Sequence, residues 1–270
     1  MVWCKNIMEK NIFRDGNIIY DLKPKGPLHW KNATIGGIKP IGLRYWKKDD
    51  IVDSTQISNE LFGEEKSLQT TLFSDIARLV SFAVINIKNK DLQPVIESLN
   101  NYSITGNTLT VWTPKGFYVI DKPGKEIISL LGRDYPSNPY FETNTKEVID
   151  MEKNLNRQIV SQDKNGILHS EDRDIRFVPN LSRKYFGRSK ISIAQNPGII
   201  ALVGNEENAS LLEEAVKKFK LGYNFRGPLP SDKIDIRIPS LMSIVKFDYW
   251  LDINGSLCNE NKFCSFGLKN

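Results

Sequence analysis

The sequence predicts an α+β protein with a ferredoxin-like (RRM-like) core, and three observations lead there. Residues 79–121 read in the order β-α-β-β, a second βα unit begins near residue 190, and a polar, turn-rich stretch separates them. The matching division is a first ferredoxin-like unit with a basic N-terminal loop (1–131), a charged, protruding insertion or hairpin (132–189), and a second unit completing the body (190–270).

In the first unit the near-continuous apolar run over 79–87 suits a buried strand. Leu92, Val95, Ile96, Leu99 and Tyr102 then recur at the spacing of one helical face, with Asp91 as cap and Pro94 in the first turn. Residues 109–113 and 117–120 are β-prone and are separated by Pro114-Lys115-Gly116, a reverse-turn sequence. In the insertion Asp134, Pro136, Asn138, Pro139, Asn144, Asn156 and Gly166 punctuate the chain, and Arg173, Arg176, Arg183, Lys184 and Arg188 make its later part basic. Beyond it, 190–194 and 199–203 read as strands around Asn196-Pro197-Gly198. A helix then carries the stripe Leu212, Ala215, Val216 and Phe219, with Asn205 or Asn208 as cap, Glu206 and Glu207 in its first turn and Lys217, Lys218 and Lys220 in its last. Strands are expected again at 234–238 and 243–253.

The chain has 270 residues, 40% of them hydrophobic and 26% charged, which is the composition of a folded protein. Its 37 basic against 32 acidic residues give a net charge of +5, which permits a polyanionic partner without requiring one. Clustering is more informative. Lys23, Lys25, Lys31, Lys39, Arg44, Lys47 and Lys48 are interleaved with Trp30, Tyr45 and Trp46, an arrangement able to serve phosphates and bases together; the same composition also suits a solvated face. Three cysteines, Cys4, Cys258 and Cys264, are no disulfide framework, so a reducing, cytoplasmic location is expected. No zinc spacing occurs, and neither a metal nor a cofactor is expected. No run of apolar residues is long enough for a membrane span.

Histidine chemistry is restricted to His29 and His169, and neither lies in a metal-binding pattern. Phosphate-binding P-loop, dinucleotide G-x-G-x-x-G and G-x-S-x-G sequences are absent.

Pro27-Leu28-His29 after a strand-like stretch at 18–22, Leu61-Phe62-Gly63, and Phe73-Ser74-Asp75-Ile76-Ala77 continuing into Arg78-Leu79-Val80-Ser81-Phe82 resemble the RAMP superfamily, in particular backbone subunits of type III CRISPR effector complexes. Gly255 and Ser265-Phe266-Gly267-Leu268 are similar to that family's glycine-rich C-terminal turn. The resemblance covers about a quarter of the chain. It implies an RNA-binding subunit of a ribonucleoprotein in antiviral defence, with single-stranded or guide RNA and other subunits as partners. On that basis Lys31, Lys39, Arg44, Lys47 and Lys48 would hold phosphates, Trp30, Tyr45 and Trp46 would stack bases, and Arg173, Arg176 and Lys262 would add contacts. Lys39 stands where cleaving members carry an aspartate, so the resemblance implies holding without cleavage. The alternatives are a metal-independent endoribonuclease that processes the guide precursor, with His29 as acid–base group beside Lys31, and a non-enzymatic structural or interaction protein of a virus or mobile element.

Overall fold

The computed structural model describes residues 12–15, 18–21, 68–70, 72–88, 92–101, 103–106, 108–121, 123, 127, 140–142, 146–188, 190–218, 222–227, 233–237, 239–244, 250–254, 263–264 and 267–269. In chain order its elements are β1 (Ile12–Asp15), β2 (Ile18–Asp21), β3 (Leu68–Thr70), α1 (Phe73–Ile85), α2 (Gln93–Asn101), β4 (Ser103–Thr105), β5 (Thr108–Thr113), β6 (Gly116–Asp121), β7 (Tyr140–Glu142), α3 (Lys146–Gln158), β8 (Ile159–Gln162), β9 (Leu168–Ser170) and β10 (Ile175–Pro179). Two single 3-10 turns follow, Arg183–Tyr185 and Ile193–Gln195. After them come α4 (Pro197–Leu202), α5 (Glu206–Lys218), β11 (Gly222–Arg226), β12 (Lys233–Arg237), β13 (Ser240–Ile244), β14 (Trp250–Asn254), β15 (Phe263–Cys264) and β16 (Gly267–Lys269).

The expected hairpin at 109–120 is present and central. β5 and β6 pair antiparallel from Thr108↔Asp121 to Thr113↔Gly116, around Pro114–Lys115. Gly116 is required there: its φ is +155°, and a Cβ would lie 2.3 Å from the carbonyl oxygen of Val178 on β10. The hairpin belongs to a seven-stranded sheet in the order β7-β12-β5-β6-β10-β9-β8, with every pairing antiparallel.

Strand alternation gives this sheet two apolar faces. Leu109, Val111, Tyr118, Ile120, Ile175, Phe177, Ile234 and Ile236 point to one side, where Val148, Met151 and Leu155 of α3 cover them. Trp112, Phe117, Val119 and Val178 point to the other, into a larger core made by α1, α2, α4, α5 and the inner face of a second sheet. That second sheet has the order β11-β14-β13-β4-β15 and contributes Tyr223, Phe225, Leu241, Leu251, Ile253 and Ile104. A small sheet of order β1-β2-β16-β3 inserts the C-terminal strand β16 between β2 and β3.

This topology overturns the ferredoxin-like expectation. Most of the presumed strand over 79–87 belongs to helix α1, which ends at Ile85; among its buried residues Phe73, Ile76, Ala77, Val80, Ala83 and Val84 fall on a three-and-four spacing that the apolar run concealed, and Leu79 and Ser81 beside them are buried too. β4 follows α2 but sits in a different sheet from the β5–β6 hairpin, so no β-α-β-β sheet forms. The second unit fails for a local reason. Asn196-Pro197-Gly198 is a helix start rather than a turn between strands: the Asn196 side chain accepts from the backbone N–H groups of Gly198 and Ile199, and Pro197 occupies the first helical position, where its missing N–H does no harm. A 3-10 turn at Ile193–Gln195 replaces the strand expected over 190–194, and 199–202 are helical. Nor is the expected insertion a protruding one, since its residues 140–179 supply β7, α3, β8, β9 and β10 to the large sheet and its cover. The helices expected near 92 and 206 are present; Asn205, not Asn208, caps α5 by accepting from the Asn208 N–H at 2.8 Å.

Buried polar groups lock these layers together at the end of the hairpin. Asp121 Oδ1 accepts from the Thr108 hydroxyl at 2.6 Å, and that hydroxyl oxygen accepts the first helical N–H of α1, from Phe73, at 3.0 Å. Asp121 Oδ2 lies 2.8 Å from Arg176 Nη2, an ionic contact without hydrogen-bond alignment. Arg176 Nε donates to the Ala201 carbonyl near the end of α4 at 2.6 Å, and Nη1 donates to the Arg173 carbonyl at 2.9 Å. Arg173 presents that carbonyl from a left-handed conformation, φ 61°.

Arg176→Met leaves the Asp121 carboxylate buried without its cation and is expected to destabilise the protein by about 3–5 kcal/mol in urea unfolding, with the Asp121→Asn/Arg176→Met pair recovering part of the loss. A cost of Arg176→Met under about 1 kcal/mol would contradict a structural role for the pair. Gly116→Ala is expected to lower the unfolding midpoint as well, because neither its φ nor the Val178 carbonyl leaves room for a methyl group.

Candidate functional site

Most residues singled out from the sequence, His29, Trp30, Lys31, Lys39, Arg44, Tyr45, Trp46, Lys47, Lys48 and Lys262, lie outside the described residues. Two lie inside. Arg173 is exposed. Arg176 is 4% exposed and bonded within the core, so it serves the fold and does not face a phosphate; this corrects its assignment as an RNA contact.

The exposed basic side chains gather a little further on. Arg183, Lys184, Arg188 and Lys190 are all exposed, and Tyr185 and Phe186 between them are half-buried. Hydrogen bonds hold this segment to the body at several points. Gly187 and Phe225 of β11 exchange both backbone hydrogen bonds, at 2.8 and 3.1 Å, and Asn196 Nδ2 donates to the Tyr185 carbonyl at 2.9 Å. The Phe186 ring stacks on Phe225 (5.3 Å between centroids, 15° between planes) and leans on Trp112 at 5.4 Å. Gly227 makes that approach feasible, since a Cβ there would come within 2.5 Å of Trp112 and 2.7 Å of Phe186. Lys184 Nζ stands 5.0 Å from the centre of the Tyr185 ring. The antiparallel bridge at Gly187 and Phe225 brings the backbone of Arg226 beside Phe186; the Arg226 side chain is half-exposed and pairs with the buried Asp252 at 3.0 Å. Burial raises the Asp252 carboxyl, while Arg226 and Asn224 pull it down.

The cations of this segment were legible in the sequence. The aromatic residues that anchor it were not, because Phe225, Trp112 and Gly227 are remote in the chain and nothing local marks them as its supports.

His169, 6% exposed, sits in β9 with Nε2 3.0 Å from Asp163 Oδ2. Asp163 also accepts the N–H groups of Asn165 and Ile167, closing the β8–β9 turn. Burial would raise the Asp163 carboxyl, but the bonds from His169, Ile167 and Asn165 together outweigh it and the net shift is downward. The pair is a turn clasp. Glu171, Asp172 and Asp174 form a surface turn in which Asp172 accepts from the Ser170 hydroxyl and the Asp174 N–H. Among the described residues no cluster of three or more metal-ligating side chains occurs. A hollow of about 850 Å³ between the 193–195 turn and α5 is lined by Ser192, Gln195, Glu206, Ser210, Glu213 and Lys217 among others; Glu213 is engaged by the Ala194 N–H and by Lys217, and Glu206 by Lys164. Among the described residues no helix is long and apolar enough to cross a membrane.

No family model matches the chain, and no curated protein does. Among solved structures it is similar to a protein described under "Accommodation of massive sequence variation in Nanoarchaeota by the C-type lectin fold", at 14% identity and a TM-score of 0.42 over 71% of this chain and 85% of that one. A likeness of that size does not establish a shared fold. The sheet order does exclude the ferredoxin-like body implied by the RAMP resemblance, and the description as a RAMP-type CRISPR subunit of antiviral defence is set aside with it.

Proposed function

We propose that this protein holds a flexible polyanion, with single-stranded RNA as the first candidate, on the exposed segment 183–190. The observation that carries the proposal is the fixing of this segment: its backbone is pinned to Asn196 at Tyr185 and to β11 at Gly187, so the exposed Arg183, Lys184 and Arg188 stand on a stretch that needs no ordering of a free loop. Cations at that spacing neutralise successive phosphates, and the half-buried Tyr185 and Phe186 give the surface an apolar component. The basic, aromatic stretch over 23–48 would extend the same surface chemistry. The buried carboxylates described above are paired with internal cations, Asp121 with Arg176 and Asp252 with Arg226, which assigns them to stability.

Fluorescence anisotropy with a labelled oligouridylate tests this directly. Binding is expected at low salt, weakening as salt rises, and the Arg183→Ala/Lys184→Ala/Arg188→Ala variant is expected to weaken it at least about tenfold and to flatten the logarithmic salt dependence by about 2, near 0.7 per lost phosphate contact. No binding at low salt overturns the proposal. Binding with an unchanged salt slope in the triple variant overturns the placement on 183–190.

A further inference from the structure

Among the described residues four buried side-chain polar atoms have no hydrogen-bond partner, all of them on strands of the large sheet, and two belong to cross-strand partners. Asp235 on β12 is directly opposite Trp112 on β5 in the antiparallel register, so their side chains share a face, with Cβ atoms about 5 Å apart in such pairs. Asp235 is 1% exposed; its Oδ2 is held by Arg237 Nε at 2.6 Å, while Oδ1 has no partner. Trp112 is 8% exposed, and its indole Nε1 has none either. A buried acceptor and a buried donor each left unsatisfied are individually costly, and together they are complementary.

We propose that Asp235 and Trp112 form a proton-operated clasp across the β5–β12 ladder. When the carboxyl loses its proton to solvent, Oδ1 draws the indole N–H into a hydrogen bond; when the carboxyl is neutral the indole rests in its stack on Phe117, the arrangement seen with both atoms unpaired. Burial pushes the Asp235 carboxyl up to about 6, with Arg237 acting against it, so the change falls in a mildly acidic range. A carboxyl with a raised folded value contributes stability that is complete below the ordinary aspartate range and is lost as pH rises through about 6. The ionised form is therefore the strained one, and the one that gains from the indole donor.

The charged surroundings are few among the described residues. On β12, Arg237 occupies the same face two positions on, and Lys233 lies two positions before Asp235 in the strand. On β7, Tyr140 is opposite Asp235 and Glu142 is opposite Lys233. β5 contributes Trp112 and, opposite Arg237, Thr110, whose hydroxyl donates to the Arg237 carbonyl. Because Trp112 supports Phe186, movement of the indole reaches the segment 183–190, although the clasp itself stands whether or not that segment binds RNA.

Nitrogen-15 NMR of the indole N–H groups reads the clasp in the intact chain, whose five tryptophans give five resonances, with Trp112 identified by Trp112→Phe. The Trp112 signal is expected to move downfield with a midpoint near 6, equal to the midpoint of the Asp235 carboxyl carbon, and to stay fixed in Asp235→Asn. An indole signal that is flat through that range, or one that still titrates in Asp235→Asn, overturns the proposal. If Asp235→Asn does not fold, the wild-type comparison decides alone: unequal midpoints for the indole and the carboxyl carbon overturn it.

Discussion

One buried contact, Asp121 with Arg176, ties the large sheet to two helices of the larger core. The carboxylate belongs to β6 and the guanidinium to β10, adjacent strands of the large sheet, yet their remaining hydrogen-bonding capacity is spent on helices. Through Thr108 the carboxylate fixes the start of α1, and through the Ala201 carbonyl the guanidinium fixes the end of α4. A helix terminus carries backbone groups that cannot be satisfied within the helix, and burying it demands a partner at a set position. Here two such termini are satisfied by one ion pair, which sets how both helices sit on the sheet. The nearby Asp75 carboxyl registers the cost of the arrangement: burial raises it first, and Asp121 adds to the rise despite the Leu72 N–H and Arg78.

Much of the local structure was legible. The β5–β6 hairpin, α2 and α5 were announced by turn residues, helical spacing and terminal charges, each a short-range signal. Misreadings occurred where one pattern serves two structures. An apolar run from Leu79 to Ile87 fits a buried strand, but extending it back to Phe73 reveals a helical three-and-four spacing. Asn-Pro-Gly fits a turn, but Asn196 followed by Pro197 is also a helix cap and first position. Sheet order was out of reach, because no local signal assigns β4 and β5, separated by so little chain, to different sheets. The same limit applies to the surface. Arg173, Arg176, Arg183, Lys184 and Arg188 look alike in the sequence, and only the position of Asp121 separates the buried member from the exposed ones.

The aromatic group around Trp112 joins the two regions of interest. Phe117, Phe186 and Phe225 surround one indole, so the sheet core, the basic segment and β11 share a single packing problem. Close-packed interiors transmit displacement instead of absorbing it. Gly227 shows how little slack there is, since even a methyl group would collide with two of these rings.

The placement of β16 between β2 and β3 carries a consequence for synthesis. Strands β2 and β3 wait for a central strand that the ribosome delivers only with residues 267–269, so until those residues emerge β2 and β3 each present an unpaired edge. The large sheet has no such delay beyond residue 237, where its last strand ends. A nascent chain of this protein thus emerges with its antiparallel body able to assemble while its N-terminal strands remain adhesive, and a chaperone that shields edges would act on that region first.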